Sequence, residues 1–109
     1  MARNKFQTLT EQMFYILLSL NDECCGMDIM DKVKEITNGR VLIGSGTLYN
    51  LLGQFVHEGY IVETSSVGKR KNYILTDEGR SVLSAEIERL ESQIRDYGMI
   101  IKGGNNNEC

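Results

Sequence analysis

Residues 44–75 read GSGTLYNLLGQFVHEGYIVETSSVGKRKNYIL. The first half of this stretch spaces apolar side chains three and four residues apart, as on one face of an α-helix: Leu48, Leu51, Leu52 and Phe55. Gly59 follows as a residue that favours the end of a helix. The second half predicts a β-hairpin, with strands at 60–64 and 71–75 and a turn at 65–68.

The helix of this stretch has a polar face opposite its apolar stripe. We expect either Ser45 or Thr47 to cap its first turn. Asn50 and Gln54 lie on the polar face, with Gly53 beside them. Amide side chains bond adenine in a bidentate manner, although an ordinary solvated face has the same composition.

Upstream, the pattern predicts a first helix that is apolar on nearly all sides. Thr8 and Glu11 form a capping-box pair that opens this helix, and it ends near Leu20. Such a helix is expected to be buried on more than one side. A domain of this size can hardly cover it alone, which is a first indication of a partner chain.

Between this helix and residue 44, the pattern predicts a turn, a second helix and a short strand. The turn spans residues 21–25, and the second helix ends near Thr37, before Asn38 and Gly39. Its buried face is expected to carry Ile29, Val33 and Ile36. The apolar run at 41–43 predicts a single edge strand.

A last helix is predicted from Thr76 to about Ile101, with the apolar spacing of a coiled coil. Intervals of four and three residues separate Leu83, Ile87, Leu90, Ile94, Tyr97 and Ile101. A heptad stripe of this kind is the seam of a helix pair. We therefore expect a homodimer in which the last helix packs against the first helix of the partner.

The order helix, helix, short strand, helix, hairpin, long helix is typical of a winged helix-turn-helix, an α+β fold that is mostly α. In this class a recognition helix enters the major groove of DNA, and the hairpin is the wing. We expect a winged-helix DNA-binding domain at 1–76, a C-terminal dimerisation helix at 77–102 and a flexible tail at 103–109. The basic run 69–71 then lies at the tip of the wing.

The charge of the chain is acidic in sum but uneven in position. The net charge is −3 and the pI is about 5.1, which by itself counts against nucleic-acid binding. Acidic residues are frequent in the last third, whereas the run 69–71 and Arg3 and Lys5 in a loose N-terminal arm are basic. An acidic protein can still present a basic face.

The cysteines and the apolar runs indicate a cytoplasmic protein. Cys24, Cys25 and Cys109 are odd in number and the first two are adjacent, so no disulfide framework is expected. The apolar run 13–20 is shorter than the ~20 residues that span a bilayer, and no signal-peptide cleavage site follows it. We expect no membrane partner.

Six short motifs occur over residues 8–83: Leu9-Thr10-Glu11, Gly26-Met27-Asp28-Ile29, Gly46-Thr47-Leu48-Tyr49 with Leu51-Leu52, Glu58-Gly59-Tyr60-Ile61, Gly68-Lys69-Arg70-Lys71-Asn72-Tyr73 and Leu75-Thr76-Asp77-Glu78-Gly79. In this order they resemble the PadR family of bacterial transcriptional regulators. The short C-terminal region resembles its compact subclass, which has one dimerising helix after the wing. The resemblance implies a homodimeric repressor of efflux, stress or detoxification genes, and of its own gene. It also implies release from operator DNA by an aromatic or drug-like effector.

The candidate site residues follow from the pattern and the resemblance together. The candidate contacts to double-stranded DNA are Ser45, Thr47, Tyr49, Asn50, Gln54, Lys69, Arg70 and Lys71. The candidate dimer interface comprises Phe14, Leu17, Leu83, Ile87, Leu90, Ile94 and Tyr97. The candidate effector-binding residues, which are equally compatible with a plain core, are Phe14, Tyr15, Leu90 and Tyr97.

Other function classes have less support. There is one histidine, no phosphate loop and no nucleophile elbow, so we expect neither an enzyme nor a cofactor. His57 and the cysteines lack the spacing of a metal site. The alternative is a winged helix that acts as a protein-interaction module, an anti-repressor or adaptor, without DNA binding of its own. The acidic pI favours this alternative, and the basic wing favours DNA binding.

Overall fold

The computed structural model describes residues 8–68 and 70–102. Its elements are α1 (Glu11–Ser19), β1 (Cys24–Cys25), α2 (Gly26–Ile36), α3 (Ser45–Glu58), β2 (Ile61–Val67), β3 (Arg70–Leu75) and α4 (Asp77–Lys102). An antiparallel sheet in the order β1-β3-β2 accompanies the helices. This is the predicted winged-helix fold with a long C-terminal helix. The predicted arm at 1–7 and tail at 103–109 lie outside the described residues.

The start of α1 lies later than the capping-box prediction. Thr10 is the N-cap, and its hydroxyl oxygen accepts a hydrogen bond from the backbone N–H of Met13 at 3.1 Å. Leu9, directly before it, is buried in the core. The chain therefore enters the core before the helix begins, and the prediction of a Thr8–Glu11 box is wrong.

The start of α3 also differs from the prediction, since neither Ser45 nor Thr47 is the N-cap. Gly44 takes this position in an extended conformation, with φ −78° and ψ 157°. Its carbonyl accepts a hydrogen bond from Leu48 at 2.9 Å, which closes the first turn. Ile43 is buried directly before it, so the chain leaves the core at Gly44 and is already helical at Ser45.

The edge strand of the sheet is β1, which lies in a segment predicted to be a turn. Cys24 pairs with Tyr73 and Cys25 with Asn72 of β3. On its other side β3 pairs with β2, which has a bulge after Glu63. The hairpin is longer than predicted, because β2 continues through residues 65–67, which the sequence pattern assigned to the turn, and β3 begins one residue early at Arg70.

The apolar run 41–43 is not part of a strand. Its backbone at Val41 bonds a side chain instead of a neighbouring strand: the Thr37 hydroxyl accepts from the Val41 N–H at 3.0 Å and donates to the Val33 carbonyl at 2.8 Å. Thr37 also replaces Ile36 as the buried residue at the end of α2, since Ile36 is 53% exposed. The predictions of a strand at 41–43 and of a buried Ile36 are both wrong.

The core combines side chains from α1, α2, α3 and the sheet. Its largest fully buried side chains are Tyr60, Phe55, Ile16, Leu17, Leu20, Ile29, Leu48, Leu52, Ile61 and Val33. The apolar stripe predicted for α3 is thus entirely internal, which leaves the opposite side of that helix outside the core.

Several contacts along its first half attach α4 to the rest of the protomer. Near its start, Gly79 lies so close to Tyr60 that a Cβ would be 2.1 Å from the Tyr60 carbonyl oxygen. Further on, the carboxylate of Glu86 is buried, accepts a hydrogen bond from the Leu9 N–H at 3.3 Å and forms an ion pair with Arg89. Hydrogen bonding by Arg89 lowers the pKa of Glu86 and outweighs burial, which acts in the opposite direction.

We expect the free energy of unfolding to fall in acid as Glu86 is protonated. The pKa of Glu86 is lower in the folded protein than its ordinary value of 4.5, so the carboxylate stabilises the fold above that value. The contribution is lost as the pH falls through the lowered pKa. Glu86→Gln removes this titration, so the stability difference between wild type and variant should narrow from about pH 6 to about pH 3.

Urea unfolding at a series of pH values and a fixed protein concentration measures this difference. Glu88→Gln, at an exposed position of the same helix, is the matched control. A wild-type advantage over Glu86→Gln that stays constant across the pH range would contradict the role assigned to Glu86.

Candidate nucleic-acid interface

The exposed side of α3 carries the polar residues predicted to contact DNA. Ser45, Thr47 and Asn50 are exposed, Tyr49 is 50% exposed, and Gln54 is half-buried. All five candidate contacts predicted on this helix therefore lie outside the core and on one element.

Two basic residues of the wing, Arg70 and Lys71, lie beside the hairpin turn. Arg70 and Lys71 are exposed at the start of β3, where they pair with Val67 and Ser66 of β2. The hairpin turns between Val67 and Arg70, so Arg70 and Lys71 lie at the far end of the wing, where the sequence predicted the basic tip. Lys69 lies outside the described residues.

A concavity of about 450 Å³, called here the α2 pocket, lies between the start of α2, α3 and the wing. Gly26 allows this shape, since a Cβ at this position would be 2.4 Å from the Tyr49 hydroxyl oxygen and would displace the Tyr49 side chain. The absence of a side chain lets Tyr49 lie over the start of α2. The lining comprises Cys25, Gly26, Met27, Tyr49, Arg70, Lys71 and Tyr73.

The α2 pocket has the electrostatic character of an anion site. Cys25 is the N-cap of α2, and its side chain makes no capping hydrogen bond. The first backbone N–H groups of the helix are therefore not bonded by the N-cap side chain. The helix dipole adds partial positive charge there, and Arg70 and Lys71 add full charges. Burial raises the pKa of Tyr73, and Glu63 acts in the same direction, so this phenol stays neutral in the pocket wall.

Four lining residues of the α2 pocket were not assigned to a site from the sequence: Cys25, Gly26, Met27 and Tyr73. Gly26 is the signal that could have indicated them. Glycine has a poor helix propensity, so its presence at the start of a helix suggests that a side chain there would disturb a contact. That contact is the one with Tyr49, which joins residues far apart in the chain.

A polar network connects the wing to the turn before β1. The Glu23 carboxylate accepts hydrogen bonds from the hydroxyls of Thr64 and Ser65, next to the bulge of β2. The Ser65 hydroxyl in turn accepts a hydrogen bond from the side-chain amide of Asn72 at 3.1 Å. These contacts, which the sequence did not indicate, stabilise one orientation of the wing relative to α2 and α3.

A second concavity of about 330 Å³, the Gly53 notch, lies on the surface of α3. Residues spaced three and four apart share one side of a helix, and the residues around the notch have this spacing. They are Tyr49, Asn50, Gly53, Gln54, His57 and Glu58. The notch therefore interrupts the polar side of α3 between its two amide side chains.

The outer side of α4 is more apolar than a solvated helix requires. Leu83 and Leu90 of the heptad stripe are partly buried against the protomer. The remaining stripe residues, together with two apolar neighbours near the helix end, are exposed: Ile87, Ile94, Tyr97, Met99, Ile100 and Ile101.

One residue assigned to the dimer interface does not fit the structure. Leu17 is 0% exposed within its own protomer, so it has no surface left to offer a partner. Phe14, on the same helix, is half-buried and keeps exposed surface. The near-uniform apolar character of α1 therefore has two causes, since one side fills the core and another remains accessible.

A concavity of about 310 Å³ between α1 and α4 brings together three of the four candidate effector-binding residues, Phe14, Tyr15 and Leu90. The Phe14 and Tyr15 rings meet edge to face with centroids 5.2 Å apart. Tyr97 does not line this concavity and lies about two helical turns beyond Leu90. The remaining lining residues are Leu9, Thr10, Glu11, Glu86 and Arg89.

Metal and membrane sites find no support within residues 8–68 and 70–102. No group of three or more His, Cys, Asp or Glu side chains there could hold a metal ion. In the same ranges, no helix has both the length and the apolar character needed to cross a membrane. Cys24 and Cys25 are free and buried, and burial raises the pKa of Cys24.

Known structures share this architecture. A transcriptional regulator from Clostridium thermocellum has a TM-score of 0.71 at 20% identity, covering 84% of this chain and 93% of that one. A PadR family transcriptional regulator from Eggerthella lenta has a TM-score of 0.69 at 23% identity, covering 84% of this chain and 81% of that one. Comparison with curated protein sequences gave no match.

Bacillus subtilis PadR in complex with operator DNA has a TM-score of 0.64 at 26% identity over 71% of this chain. The match covers 46% of that longer chain.

The family model described as the transcriptional regulator PadR-like family matches residues 16–85. That range runs from within α1, through α2, α3 and the wing, into the first turns of α4. Because the match covers more than half of the sequence, this chain belongs to the PadR-like family of transcriptional regulators.

Proposed function

We propose that this chain, a DNA-binding transcriptional regulator, is a homodimeric repressor that binds operator DNA through α3 and the wing. The observation that carries the proposal is the α2 pocket beside the polar side of α3, which combines a cationic surface with amide groups. In this proposal residues 1–76 bind DNA and residues 77–102 form the dimer. The likeness to PadR regulators supports efflux, stress or detoxification genes, and the chain's own gene, as targets.

The α2 pocket and the wing are proposed to hold phosphates of the DNA backbone. Arg70 and Lys71 supply charge, the start of α2 supplies backbone N–H groups, and Tyr49 supplies a hydroxyl. Such contacts position a protein on DNA without reading its sequence, and they make affinity depend on salt. α3 contains neither Lys nor Arg, so the electrostatic part of the affinity must come from these neighbouring elements.

The side chains of α3 are proposed to read base edges in the major groove. Asn50 and Gln54 offer a donor and an acceptor each, which suits the N6 and N7 atoms of adenine. Thr47 offers a hydroxyl to a base or a phosphate. The solved complex of Bacillus subtilis PadR with operator DNA supports DNA as the partner of this surface.

The acidic net charge is compatible with DNA binding because of where the charges lie. Many of the carboxylates belong to α4, which contributes nothing to the α2 pocket: Asp77, Glu78, Glu86, Glu88, Glu91 and Asp96. A protein with separated charges can attract DNA to one face while its sum is negative.

The exposed apolar side of α4 is proposed to be the dimer interface. Ile94 and Tyr97 are 70% and 63% exposed, and at heptad spacing such residues cover one another in a helix pair. Leu90 and Phe14 lie next to this surface and complete it. A two-fold dimer would read two half-sites about 34 Å apart, or a multiple of this distance.

The concavity between α1 and α4 is proposed to bind an aromatic or drug-like effector. Phe14 and Tyr15 offer ring faces and edges, Leu90 offers an aliphatic wall, and Tyr97 belongs to the same interface further along α4. Such a compound would release DNA only by binding one dimer arrangement better than the DNA-bound one.

Substitutions in the wing and in α3 are expected to weaken DNA binding in different ways. Arg70→Ala or Lys71→Ala should reduce affinity for every sequence and lower the salt slope by about one unit per phosphate contact. Asn50→Ala or Gln54→Ala should cost about 1–3 kcal/mol on the operator and little on unrelated DNA. Lys34→Ala, at an exposed position of α2 that does not line the α2 pocket, is the matched charge control.

Titrations at several salt concentrations provide the measurement, with operator DNA identified by sequencing the genomic fragments that co-purify. Wing variants that keep full affinity at every salt concentration would refute the phosphate contacts. A wild type that binds no DNA even at low salt would favour the protein-interaction alternative.

The double substitution Leu90→Glu and Ile94→Glu is expected to yield monomers. It places like charges in an apolar seam, at a cost of several kcal/mol. Ala85→Glu with Ser92→Glu, on a different side of the same helix, is the matched control. Sedimentation velocity at micromolar concentration measures the mass, and circular dichroism checks that α4 remains helical. A wild type that sediments as a monomer would disprove the dimer.

Any effector is expected to obey linkage between its own site and the operator site. Aromatic and drug-like compounds that raise the Tm of the protein would be titrated with and without operator DNA. Operator binding and compound binding should weaken each other by the same factor, and Phe14→Ala should abolish both effects. A compound that binds at this concavity but leaves operator affinity unchanged would remove the mechanism.

A further inference from the structure

Gly53 is a glycine for which the protomer itself provides no reason. Gly79 is required because a Cβ would collide with the Tyr60 backbone. A Cβ at Gly26 would displace the Tyr49 side chain, and Gly59 has φ +83°, which disfavours other residues. At Gly53 a Cβ would meet nothing within 4 Å, and φ is not positive. Gly53 lies in the interior of α3, where glycine is less favourable than alanine because it loses more conformational freedom on folding.

The Gly53 notch is open because Gly53 has no side chain to fill it. Asn50 and Gln54 stand on either side of it, and His57 follows one turn further on. A Cβ at this position would project into the open space of about 330 Å³ between the two amides. The notch therefore lies between Asn50 and Gln54, the two side chains proposed to read bases.

The chemistry of the notch favours a base edge over a phosphate. Its lining contains no Lys or Arg, and Glu58 contributes a carboxylate that would repel an anion. The side-chain amides of Asn50 and Gln54 match the donors and acceptors that base pairs present in the major groove. The cationic α2 pocket offers the phosphates a better place nearby.

We propose that Gly53 is a specificity-determining residue: the notch receives a base-pair edge, and a side chain at this position would hold α3 away from the groove floor. This inference rests on the proposed DNA-binding function and names the position on which the fit of α3 in the major groove depends. The glycine is unfavourable for the helix and favourable for the complex, so stability and operator affinity should respond to its replacement with opposite signs.

Gly53→Ala tests this directly. Its Tm should rise by a few degrees, because alanine favours the helix and nothing obstructs its methyl group. Operator affinity should fall by about tenfold or more, the order expected when a base contact is lost. Affinity for unrelated DNA of the same length, which depends on phosphates, should change less than about twofold.

Ser81→Ala is the control, because Ser81 is exposed in α4 on a different side of the helix from the heptad stripe, and alanine is also the better helix former there. It should raise the Tm and leave both DNA affinities unchanged. Selection from a randomised operator gives a second readout: Gly53→Ala should lose or change its base preference at one position in each half-site.

The outcomes separate the inference from the function on which it rests. A wild type that does not distinguish operator from unrelated DNA overturns the proposed function, and the inference with it. A wild type that does so, together with a Gly53→Ala variant of unchanged operator affinity and unchanged base preference, overturns the inference alone. A lower Tm for Gly53→Ala also overturns it, because the glycine would then serve the fold.

Discussion

Two residue pairs between β1 and β3 determine where the candidate site lies. Cys25 pairs with Asn72 in this ladder and is also the N-cap of α2, so the same residue joins the wing to the start of a helix. A backbone hydrogen bond from the Leu75 N–H to the Leu20 carbonyl, 2.9 Å long, extends the contact. A shift of one residue would turn every side chain of the strand to the opposite face, and the α2 pocket would lose its basic wall.

A second constraint joins the DNA-facing elements to α4. The Thr76 hydroxyl donates to the Gly59 carbonyl at 2.6 Å and accepts from the Gly79 N–H at 3.0 Å. The Thr76 N–H donates to the Tyr60 carbonyl at 3.0 Å. The end of α3 and the start of α4 are therefore held together by hydrogen bonds in a closely packed junction. A rotation of α4 within a dimer would carry α3 with it, which is the physical basis for coupling an effector beside α4 to DNA.

The proposed contacts with DNA are divided between elements of different chemistry. The wing and the start of α2 offer charge and N–H groups, which act on phosphates in any sequence. α3 offers amides and a notch, which act on particular bases. Because α3 contains neither Lys nor Arg, it would bind DNA weakly on its own. The hydrogen bonds of Glu23 with Thr64 and Ser65 are important because they orient the wing, which supplies the electrostatic attraction.

The type and order of the main elements could be predicted from the sequence alone. The stripe from Leu48 to Phe55 predicted α3, the β-branched segments on either side of Gly68 predicted the hairpin, and the spacing from Leu83 to Ile101 predicted α4 as one long helix. Apolar periodicity is sufficient for these elements because each is long enough to show which face is apolar. The candidate DNA contacts on α3 could be named for the same reason, since they lie opposite the stripe.

Tertiary contacts set where the helices begin, which short segment pairs with the wing and what covers each apolar face. The caps at Thr10 and Gly44 depend on where Leu9 and Ile43 enter the core. A two-residue strand has no periodicity, so β1 could not be distinguished from a turn, whereas the run 41–43 imitates a strand while its backbone bonds Thr37. Leu17 and Ile94 were both assigned to the dimer interface, but Leu17 fills the core and Ile94 is exposed. The reason is that periodicity marks a face as apolar without saying which neighbour will bury it.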